Sequence, residues 1–453
     1  MLVYRQKEDF YLDDDFGEIP KGWSLKKFIK CFEFFPTASY SREQLSESGD
    51  CCYIHYGDIH TKFDGFIDFK KENLPFVEKK MASRFSKLKE GDLIIADASE
   101  DYDGVGKAVE VINIGNVDAI AGLHTLHLRA IDNCLVNGFK AYVLKNGSVR
   151  NKILRSATGI KVYSISKSSL KNILIPVPPP TEQRIIASIL SKVDETIAAT
   201  KNSIAKAERL KKALMQNLLT GKLKPNGTWR KKDEFYKDEK FGNVPKGWKY
   251  DRLETVLSNC QYGINATSVE DGKFPMLRMN NIIGGKMVNQ PMVYIDLDKK
   301  LFEKYKVNSG DILFNRTNSM DLVGKLGIFK LEGNYVFASY LIRLTVNQNN
   351  IPEYFNYYLN SYEGQCKLRS KATPSVSQAN INAGNVKRLI VPIPPKDEQL
   401  LISNRIEAIE TVLTSKQIKI KKLEQLKKAL MQNLLTGKVR VKVPKEQLLT
   451  EIW

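Results

Sequence analysis

A thirteen-residue stretch, LKKALMQNLLTGK, occurs twice in this chain, at residues 210–222 and again at residues 426–438. Identity over that length does not arise by chance, so the chain contains an internal duplication and its halves can be compared with each other. A second related pair, KEDFYLDDDFGEIPKGW at 7–23 and KDEFYKDEKFGNVPKGW at 232–248, lies near the start of each half. The fold must therefore build one framework twice.

Each copy of the thirteen-residue stretch lies at the end of a predicted long helix, over residues 181–220 and 397–436. Both helices follow a proline-rich block, and Thr181 or Asp397 is placed to cap the first turn. A glycine follows the last turn, where helices often end in a left-handed residue. A helix of about forty residues is about 60 Å long, which exceeds ordinary globular helices by a wide margin.

A mostly apolar seam with alternating steps of three and four residues runs along both predicted helices. Such a narrow heptad seam needs a partner helix. Because one chain supplies both helices with a globular segment between them, an antiparallel coiled coil is the simplest arrangement. The alternative is that each helix packs only on its own globular segment. The seam comprises Leu190, Val193, Ile197, Thr200, Ile204, Ala207, Lys211, Leu214 and Leu218, and in the second copy Ile406, Ile409, Leu413, Lys416, Ile420, Leu423, Lys427, Leu430 and Leu434.

We predict an α+β fold in which two globular domains alternate with two long helices that pair as an antiparallel coiled coil, with an internal pseudo-two-fold repeat. The tail after the second helix is outside the repeat, and its apolar residues Leu448, Leu449, Ile452 and Trp453 are available to complete a domain edge or the helix packing. The predicted segments are domain 1 at 1–180, the first helix at 181–224, domain 2 at 225–395, the second helix at 396–438 and the tail at 439–453.

Within the globular segments the sequence favours short strands separated by turns. The stretches are rich in β-branched and apolar residues and are bounded by Gly or Asp. A proline start and spaced aromatic residues predict one helix at 352–365. The predicted strands lie at 52–60, 92–98, 107–114, 125–131 and 341–346.

The formal net charge of +19 favours a polyanionic partner. The excess of basic residues lies mainly in the second half, while residues 1–180 are nearly neutral. The alternative is that lysine richness only reflects solubility. No apolar run approaches the length of a membrane span, and the N-terminus lacks a signal-peptide core, so we expect a cytoplasmic protein.

The order of the motifs resembles the specificity subunit of Type I restriction-modification systems. Each globular segment is entered through Pro-Lys-Gly-Trp, at 20–23 and 245–248, and is followed by a proline block with Glu-Gln, at 178–183 and 394–399. A long helix ending in LMQNLLTG completes each half. The resemblance covers essentially the whole chain and depends on several motifs in a fixed order.

This resemblance implies a division of labour. Each globular segment would be a target recognition domain that reads one half of a split, asymmetric site in double-stranded DNA. The paired helices would set the length of the unread spacer and dock two methyltransferase (M) subunits, and restriction/translocase (R) subunits would join them. S-adenosylmethionine, ATP and Mg would be bound by those partners, so that this chain would have no catalytic residue, cofactor or metal of its own.

The residues themselves lack the motifs of a self-sufficient DNA methyltransferase. Such an enzyme needs an Asn/Asp-Pro-Pro-Tyr/Phe motif and a glycine loop for its cofactor. Here the prolines precede Thr181 and Lys396, and the glycines at 103–107 lack a strand-to-helix context and are typical of a β-turn. The sequence therefore disfavours an enzyme.

Two small clusters suggest a nuclease or a zinc site, and each has a simpler interpretation. Asp64 and Asp68 have a spacing that nucleases share with ordinary charged loops. The cysteines and histidines within residues 51–60 resemble zinc ligands, but the repeat places Arg278 where His55 stands and offers no ligands in the second half. A position that accepts His or Arg favours a polar contact to DNA.

DNA is read by Arg or Lys at guanine, by Asn or Gln at adenine and by Asp or Glu at cytosine, while Lys, Ser and Thr hold phosphates. The loop NRTNS at 315–319 is rich in such residues, whereas domain 1 has the acidic loop ADASEDYDG at 96–104. In that loop either Asp97 or Glu100 accepts from cytosine, or the loop is structural. For any single candidate the alternative is a solvated surface charge. The candidates are Arg42, His55, Lys62, Lys107 and Arg155 in domain 1, and Arg278, Arg316, Asn318, Ser319, Lys325 and Gln378 in domain 2.

Two other function classes stay open at this point. A coiled-coil scaffold would bind protein partners without reading a DNA sequence. A stand-alone nuclease or methyltransferase would turn over substrate as the purified chain alone. A steep fall of duplex affinity with salt, together with preference for one split sequence, distinguishes a DNA reader from both.

Overall fold

The computed structural model describes residues 2–3, 9–132, 134–374 and 378–442. It divides into two compact units: unit 1 comprises Met1–Lys201 and Lys419–Trp453, and unit 2 comprises Asn202–Ile418. Each unit contains one globular segment and parts of both long helices. The tail residues Leu448, Leu449, Ile452 and Trp453 lie outside the described residues.

Unit 1 consists of short strands and short helices apart from its share of the long helices. The strands are β1 (Leu2–Val3), β2 (Phe10–Asp13), β3 (Gly17–Pro20), β4 (Ser24–Lys27), β5 (Phe32–Phe35), β6 (Cys51–Ile54), β7 (Phe66–Asp68), β8 (Phe76–Val77), β9 (Leu93–Ala96), β10 (Ala98–Ser99), β11 (Ala108–Ile112), β12 (Ala119–Ala121), β13 (Thr125–Ala130), β14 (Tyr163–Ser164) and β15 (Leu174–Val177). The helices are α1 (Phe28–Cys31), α2 (Tyr56–Thr61), α3 (Lys79–Ala82), α4 (Lys140–Val143), α5 (Gly147–Arg155), α6 (Lys167–Lys171) and α7 (Pro180–Leu218).

The centre of unit 1 is a five-stranded sheet in the order β5-β13-β9-β11-β7. Strand β9 is buried on both faces because its side chains alternate between two apolar clusters. Leu93 and Ile95 belong to the cluster that reaches the long helices, while Ile94 and Ala96 belong to a second cluster under β6 and β12. This double burial explains why the strand is a continuous apolar run rather than an alternating one.

Unit 2 repeats this plan with different connecting segments. Its strands are β16 (Phe235–Asp238), β17 (Gly242–Pro245), β18 (Lys249–Arg252), β19 (Leu257–Tyr262), β20 (Phe274–Leu277), β21 (Ile282–Ile283), β22 (Lys286–Met287), β23 (Val293–Ile295), β24 (Ile312–Asn315), β25 (Thr317–Asn318), β26 (Leu326–Ile328), β27 (Val336–Phe337), β28 (Leu341–Val346), β29 (Thr373–Pro374), β30 (Ala379–Asn380) and β31 (Ile390–Ile393). Its helices are α8 (Lys299–Tyr305), α9 (Pro352–Asn360), α10 (Tyr362–Arg369), α11 (Ala383–Lys387) and α12 (Lys396–Leu434), and the last strand of the chain, β32 (Arg440–Val441), pairs with β1 in unit 1.

The central sheet of unit 2 has six strands in the order β19-β28-β24-β26-β22-β21. Its first five strands correspond to the five strands of unit 1, and β24 takes the place of β9. Ile312 and Phe314 pack in the cluster that reaches the long helices, whereas Leu313 packs in a separate cluster. The two units therefore share a sheet plan as well as sequence motifs.

The two long helices begin one residue earlier than predicted. Helix α7 starts at Pro180 and α12 at Lys396, so Thr181 and Asp397 lie inside the first turn instead of capping it. A proline at the first helical position needs no hydrogen-bond acceptor for its nitrogen, which explains the earlier start of α7. The C-terminal glycines are as predicted, since Gly221 and Gly437 have φ values of +70° and +69°.

The predicted seam is confirmed, because each of its eighteen positions is buried or half-buried. Within unit 1 the N-terminal part of α7 meets the C-terminal part of α12, as in the ion pair of Lys201 with Glu424. Within unit 2 the C-terminal part of α7 meets the N-terminal part of α12, as in the pair of Lys211 with Glu410. The helices therefore pair antiparallel in both units.

The repeated motifs of unit 2 meet at one junction. Trp248 of Pro-Lys-Gly-Trp donates from Nε1 to Glu398 Oε2 at 2.9 Å, and Arg230 forms an ion pair with the same carboxylate. A Cβ at Gly221 would overlap the ring of Pro245, so the end of α7 packs closely on this motif. The junction explains why the proline, tryptophan, glutamate and glycine recur together.

Unit 1 contains the corresponding junction. Trp23 donates from Nε1 to Glu182 Oε2 at 2.8 Å, and Arg440 donates to both oxygens of Glu182 at 2.7 and 2.8 Å. A Cβ at Gly437 would overlap the ring of Pro20. In each unit the helix that ends at the junction meets the start of the other long helix, as the antiparallel pairing requires.

The lysines within the seam have partners that recur in both units. In unit 2, Lys211 forms an ion pair with Glu410 at 2.7 Å, and Tyr357 Oη donates to the same carboxylate at 3.3 Å. In unit 1, Lys427 lies 2.6 Å from Asp194, and Tyr142 Oη donates to Asp194 at 2.8 Å. We call each set a seam triad; it joins both long helices to the globular segment.

Several predicted elements differ in detail. The predicted strand at 52–60 ends at Ile54, and α2 then begins, because His55 caps that helix by accepting from Gly57 N at 3.1 Å. The predicted helix at 352–365 is two helices, broken where Ser361 caps α10. None of the helices in the described part of the chain combines the length and the apolar character needed to cross a bilayer.

Candidate nucleic-acid interface

In unit 2 the candidate Arg316 is the single residue between β24 and β25. Its backbone is fixed on both sides, since Arg316 N donates to Tyr340 O at 3.1 Å and Ile381 N donates to Arg316 O at 2.9 Å. The side chain is half-buried. Its Nε donates to Ser339 O at 3.0 Å, and the guanidinium carbon lies 5.0 Å from the centre of the Tyr262 ring. The arginine is therefore held in a defined orientation.

Other candidates of unit 2 lie beside this arginine. Asn318 pairs with Ala379 in the small sheet of β25, β30 and β29, and Gln378 immediately precedes that strand residue. Asn318 Nδ2 lies 3.3 Å from the sulfur of Met279, the neighbour of Arg278. The Nε atom of Arg278 is buried without a hydrogen-bond partner in the described residues. Asn318 therefore lies between the backbone next to Gln378 and the side chain next to Arg278.

Lys325 faces a different surface from the other candidates of unit 2. Ser319 is exposed and begins the turn after Asn318, where its carbonyl accepts from Val323 N at 2.8 Å. The side chain of Lys325 instead lines a cavity of about 580 Å³ that also contains Lys286 and residues of both long helices. Lys325 therefore faces the long helices, whereas Ser319 lies beside the residues around Arg316.

In unit 1 three candidates surround one buried carboxylate. Asp58 is fully buried, and its Oδ1 forms ion pairs with Arg42 at 3.2 Å and with Lys62 at 3.0 Å. Roughly half of each basic side chain is still exposed. His55 is the cap of α2, and burial, aided by the charge of Arg42, lowers its pKa. Histidine is thus neutral at physiological pH and has a structural role beside the two cations.

The remaining candidates of unit 1 are Lys107 and Arg155. Lys107 donates from Nζ to His60 O at 3.1 Å, and burial lowers the pKa of this lysine. Arg155 is the exposed last residue of α5, next to Leu154, whose carbonyl accepts from Tyr102 Oη at 2.9 Å. Arg155 is therefore adjacent to the acidic loop, while the side chain of Lys107 contacts the last turn of α2.

The acidic loop at 96–104 combines a structural part with an exposed part. Arg150 Nη2 donates to Asp103 O at 2.5 Å, which holds the turn. Glu100 is exposed. Asp97 lies between β9 and β10, with Oδ1 buried and 3.4 Å from His124 Nδ1, and burial raises the pKa of the Asp97 carboxyl. The loop is ordered by its own contacts and leaves Asp97 as a partly exposed acceptor.

The nuclease-like carboxylates are occupied by different lysines. Asp64 pairs with Lys145 at 2.6 Å and Lys427 at 3.4 Å; although burial opposes it, these charges lower the pKa of Asp64 to about 2. Asp68 pairs with Lys71 at 2.8 Å. In the described parts of the chain no group of three His, Cys, Asp or Glu residues is arranged to hold a metal ion.

The sequence interpretation did not include Tyr262, Tyr340 and Asn380, which surround Arg316. These residues come from β19, from the loop before β28 and from β30, and sequence distance gave no sign that they meet. The repeat alone aligns Asp97 with Arg316. This alignment identifies a position at which the side chain differs between the units on a shared framework.

Comparison with known proteins identifies the family. A family model described as the Type I restriction modification DNA specificity domain matches residues 20–209 and 245–427. This chain belongs to that family. The match covers both halves of the internal repeat and confirms the resemblance drawn from the motifs.

Named members of the family align along most of their length. The Type I restriction enzyme EcoKI specificity subunit of Escherichia coli is 25% identical over 403 residues, which cover 87% of this chain and 83% of the relative. The MjaIX specificity subunit of Methanocaldococcus jannaschii is 23% identical over 451 residues, covering 97% and 99%. The alignments thus cover more than four fifths of each relative.

A solved structure shares the fold. The S subunit of a Type I restriction-modification system from M. genitalium matches with a TM-score of 0.54 at 15% identity and covers 94% of this chain and 97% of that one. A second chain, from a structure titled for complex assembly and conformational transition of the type I R-M system, gives a TM-score of 0.52. This chain therefore shares its fold with both solved chains.

Proposed function

We propose that this chain is the subunit that selects the DNA sequence for a Type I restriction-modification complex, and that it carries out no reaction itself. Family membership supports this assignment, since two specificity domains match within one chain. The surface group around Arg316 has the residue types that read bases, and the net charge of +19 suits a phosphate backbone. Each unit would read one half of a split site.

The observation that carries the proposal is that one framework presents unlike side chains at one position. Asp97 and Arg316 each lie between the equivalent strands β9–β10 and β24–β25, with the same backbone hydrogen bonds. A dimer of identical readers would recognise a palindrome. Because these two readers differ in charge at the same place, we propose that the recognised sequence is asymmetric.

The long helices provide the docking surface for two methyltransferase subunits in this proposal. Leu210 and Leu426, which begin the repeated stretch, are exposed at 52% and 47%. Packing does not require identity at exposed positions, so the identical surface favours one partner that binds twice. Those partners and the restriction subunits would bind S-adenosylmethionine, ATP and Mg, and this chain would bind none of them.

The test is a base-resolution map of N6-methyladenine in cells that carry the cognate methyltransferase, with and without this gene. The expected result is a split, asymmetric motif that appears only with the gene. A matched control uses the Arg252→Gln chain, whose exposed arginine lies on β18 and pairs with Glu254, and it should give the wild-type motif. No gene-dependent motif, with the methyltransferase expressed and bound, would refute DNA reading and leave a scaffold.

A second measurement separates sequence reading from general affinity for polyanions. We expect the complex to bind a duplex containing its motif in preference to a scrambled duplex, and both affinities to fall steeply as salt rises. The ratio between them should persist at high salt. Equal affinities for both duplexes would contradict the proposal even if the salt dependence were steep.

A further inference from the structure

Asp97 of unit 1 and Arg316 of unit 2 occupy the same position of the repeated framework. Asp97 N donates to His124 O at 3.1 Å, and Ile165 N donates to Asp97 O at 2.8 Å. Arg316 forms the same two bonds, with Tyr340 O and Ile381 N, at 3.1 and 2.9 Å. The difference between the units at this position is therefore confined to the side chain.

The preceding residues extend the correspondence. Ala96 N donates to Lys107 O at 2.9 Å and Gly106 N to Ala96 O at 2.9 Å. Asn315 forms the equivalent bonds with Lys325 O and Gly324 N at 2.8 and 2.9 Å. A position fixed by four shared backbone bonds can change its side chain without moving the loop. That is the property that a specificity position needs.

Arg316 is arranged as a donor with free capacity. Its Nε donates to Ser339 O at 3.0 Å, and its Nη1 makes only a long contact of 3.5 Å with Asn380 Oδ1. Among the described residues Nη2 has no hydrogen-bond partner. The Tyr262 ring at 5.0 Å covers one face of the guanidinium. The planar fork is therefore oriented by the protein and still has N–H groups to give to two acceptors.

Asp97 is arranged as an acceptor with free capacity. Its Oδ1 is buried and lies 3.4 Å from His124 Nδ1, while its Oδ2 has no hydrogen-bond partner among the described residues. About a quarter of the side chain is exposed. Burial raises the pKa of this carboxyl although His124 acts in the opposite direction, so the negative charge is still costly here. A hydrogen-bond donor from a ligand would relieve that cost.

We propose that Asp97 and Arg316 are the paired specificity determinants of the two half-sites, with Arg316 donating to a guanine and Asp97 accepting from the amino group of a cytosine. Guanine presents two acceptors, O6 and N7, which match the arginine fork. Cytosine presents one amino donor in the major groove, whereas adenine adds the N7 acceptor beside its amino group, which repels a carboxylate. This inference depends on the proposed function.

The test compares methylation motifs of the wild-type complex with those of Arg316→Gln and Asp97→Asn complexes. We expect Arg316→Gln to relax one guanine in one half-site, and Asp97→Asn to relax one cytosine in the other half-site. The discrimination lost should be roughly 5- to 150-fold at that base pair, the value of one good base contact. The untouched half-site is the internal control for each variant.

Duplex binding by the wild-type complex keeps the test independent of variant folding. Replacing the guanine in question by 7-deazaguanine removes the N7 acceptor and should weaken binding several-fold at that guanine alone. If the variants lose methylation at both half-sites, the 7-deazaguanine measurement decides. The inference is overturned if the replacement leaves the affinity unchanged at every guanine of the half-site read by unit 2.

The failure of the inference is distinguishable from the failure of the proposed function. A wild-type complex without a split motif refutes the proposed function itself. A wild-type split motif that both variants reproduce unchanged, or that either variant relaxes in both halves, refutes only the assignment of Asp97 and Arg316. A motif in which Asp97→Asn newly accepts adenine supports the assignment, because asparagine can bond to both adenine N6 and N7.

Discussion

Replacing Glu410 by glutamine should destabilise unit 2 far more than the same change one turn earlier. Glu410 is buried, and it forms ion pairs with Lys211 at 2.7 Å and Lys286 at 3.0 Å and accepts from Tyr357. Glutamine keeps the shape and one acceptor but leaves two ammonium groups without their counter-charge. The carboxylate is thus the centre of the seam triad in this unit.

The magnitude follows from the exposure of the partners. Breaking a fully buried ion pair costs about 3–5 kcal/mol. Here Lys211 is 28% exposed and Lys286 is 52% exposed, so water recovers part of the loss and we expect about 2 kcal/mol. For a cooperative unit of this size that corresponds to a Tm lower by about 4–8 °C.

The assay is thermal unfolding of the full chain carrying Glu410→Gln, with Glu407→Gln as the matched control. Glu407 lies on the same helix, is 49% exposed and contacts Lys330 at 3.5 Å, so its replacement should cost no more than about 0.5 kcal/mol. Equal losses of Tm for the two variants would refute the argument that burial makes the difference.

The pH dependence gives a second check. Burial acts to raise the pKa of Glu410, but the hydrogen bonds and charges of Lys211 and Lys286 outweigh it and hold this pKa below that of an ordinary glutamate. A lowered carboxyl pKa stabilises the folded state above the unfolded pKa, and that contribution is lost as pH falls through the folded pKa. The Tm difference between wild type and Glu410→Gln should be constant from pH 6 to 8 and shrink below about pH 4.5. A difference that does not shrink would contradict the ionic origin.

Three further predictions concern packing and thiol reactivity. Gly221→Ala should lower the free energy of unfolding by about 2–4 kcal/mol, because the residue has a positive φ and its Cβ would overlap a proline ring. Gly227→Ala, where φ is +92° and the surrounding space is open, should lower it by about 1 kcal/mol. Urea unfolding would measure both. Ile406→Ala should cost about 2–5 kcal/mol because its side chain is fully buried in the core, whereas the half-exposed Ile418→Ala should stay within about 0.5 kcal/mol in the same assay. A hydrogen bond with the Cys31 thiol and the charge of Lys26 lower the pKa of Cys134 to about 6, whereas burial raises the pKa of Cys260, the other partly buried thiol. Iodoacetamide should therefore alkylate Cys134 faster than Cys260 at pH 7, as followed by peptide mass spectrometry. Equal rates would contradict the shift.

The long helices, their seam and their antiparallel pairing were predictable because they depend on local rules. Heptad spacing, a proline block before each helix and a glycine after it are properties of neighbouring residues. The structure moved the helix starts by one residue only, to Pro180 and Lys396. Local signals of this kind also predicted β28 (Leu341–Val346) with its exact bounds.

The sheet order and the surroundings of the candidate residues were not predictable, because they depend on contacts between distant segments. The predicted strand at 52–60 failed where His55 became a helix cap, a role that alternation of apolar residues does not reveal. Lys325 was grouped with Arg316 by sequence proximity, yet the chain reverses between them and Lys325 lines a cavity beside the helices. Distance along the chain is therefore a poor guide to which polar residues share a surface.

The seam lysines join these two kinds of information. Lys211 and Lys427 interrupt the apolar seam, and each reaches a carboxylate of the other helix and, through it, a tyrosine of the globular segment. An apolar residue at such a position often stabilises a coiled coil, while a polar one specifies register and partner. Both units keep the arrangement although one carboxylate is Glu410 and the other is Asp194. We infer that the triads fix how each globular segment is held on the helix pair. Lys211→Met, against Lys212→Met as an exposed control, should lower Tm because the buried Glu410 then keeps only Lys286 as its counter-charge, and it should broaden the set of spacer lengths that are methylated. An unchanged spacer length in the methylation map would refute this role for the triad.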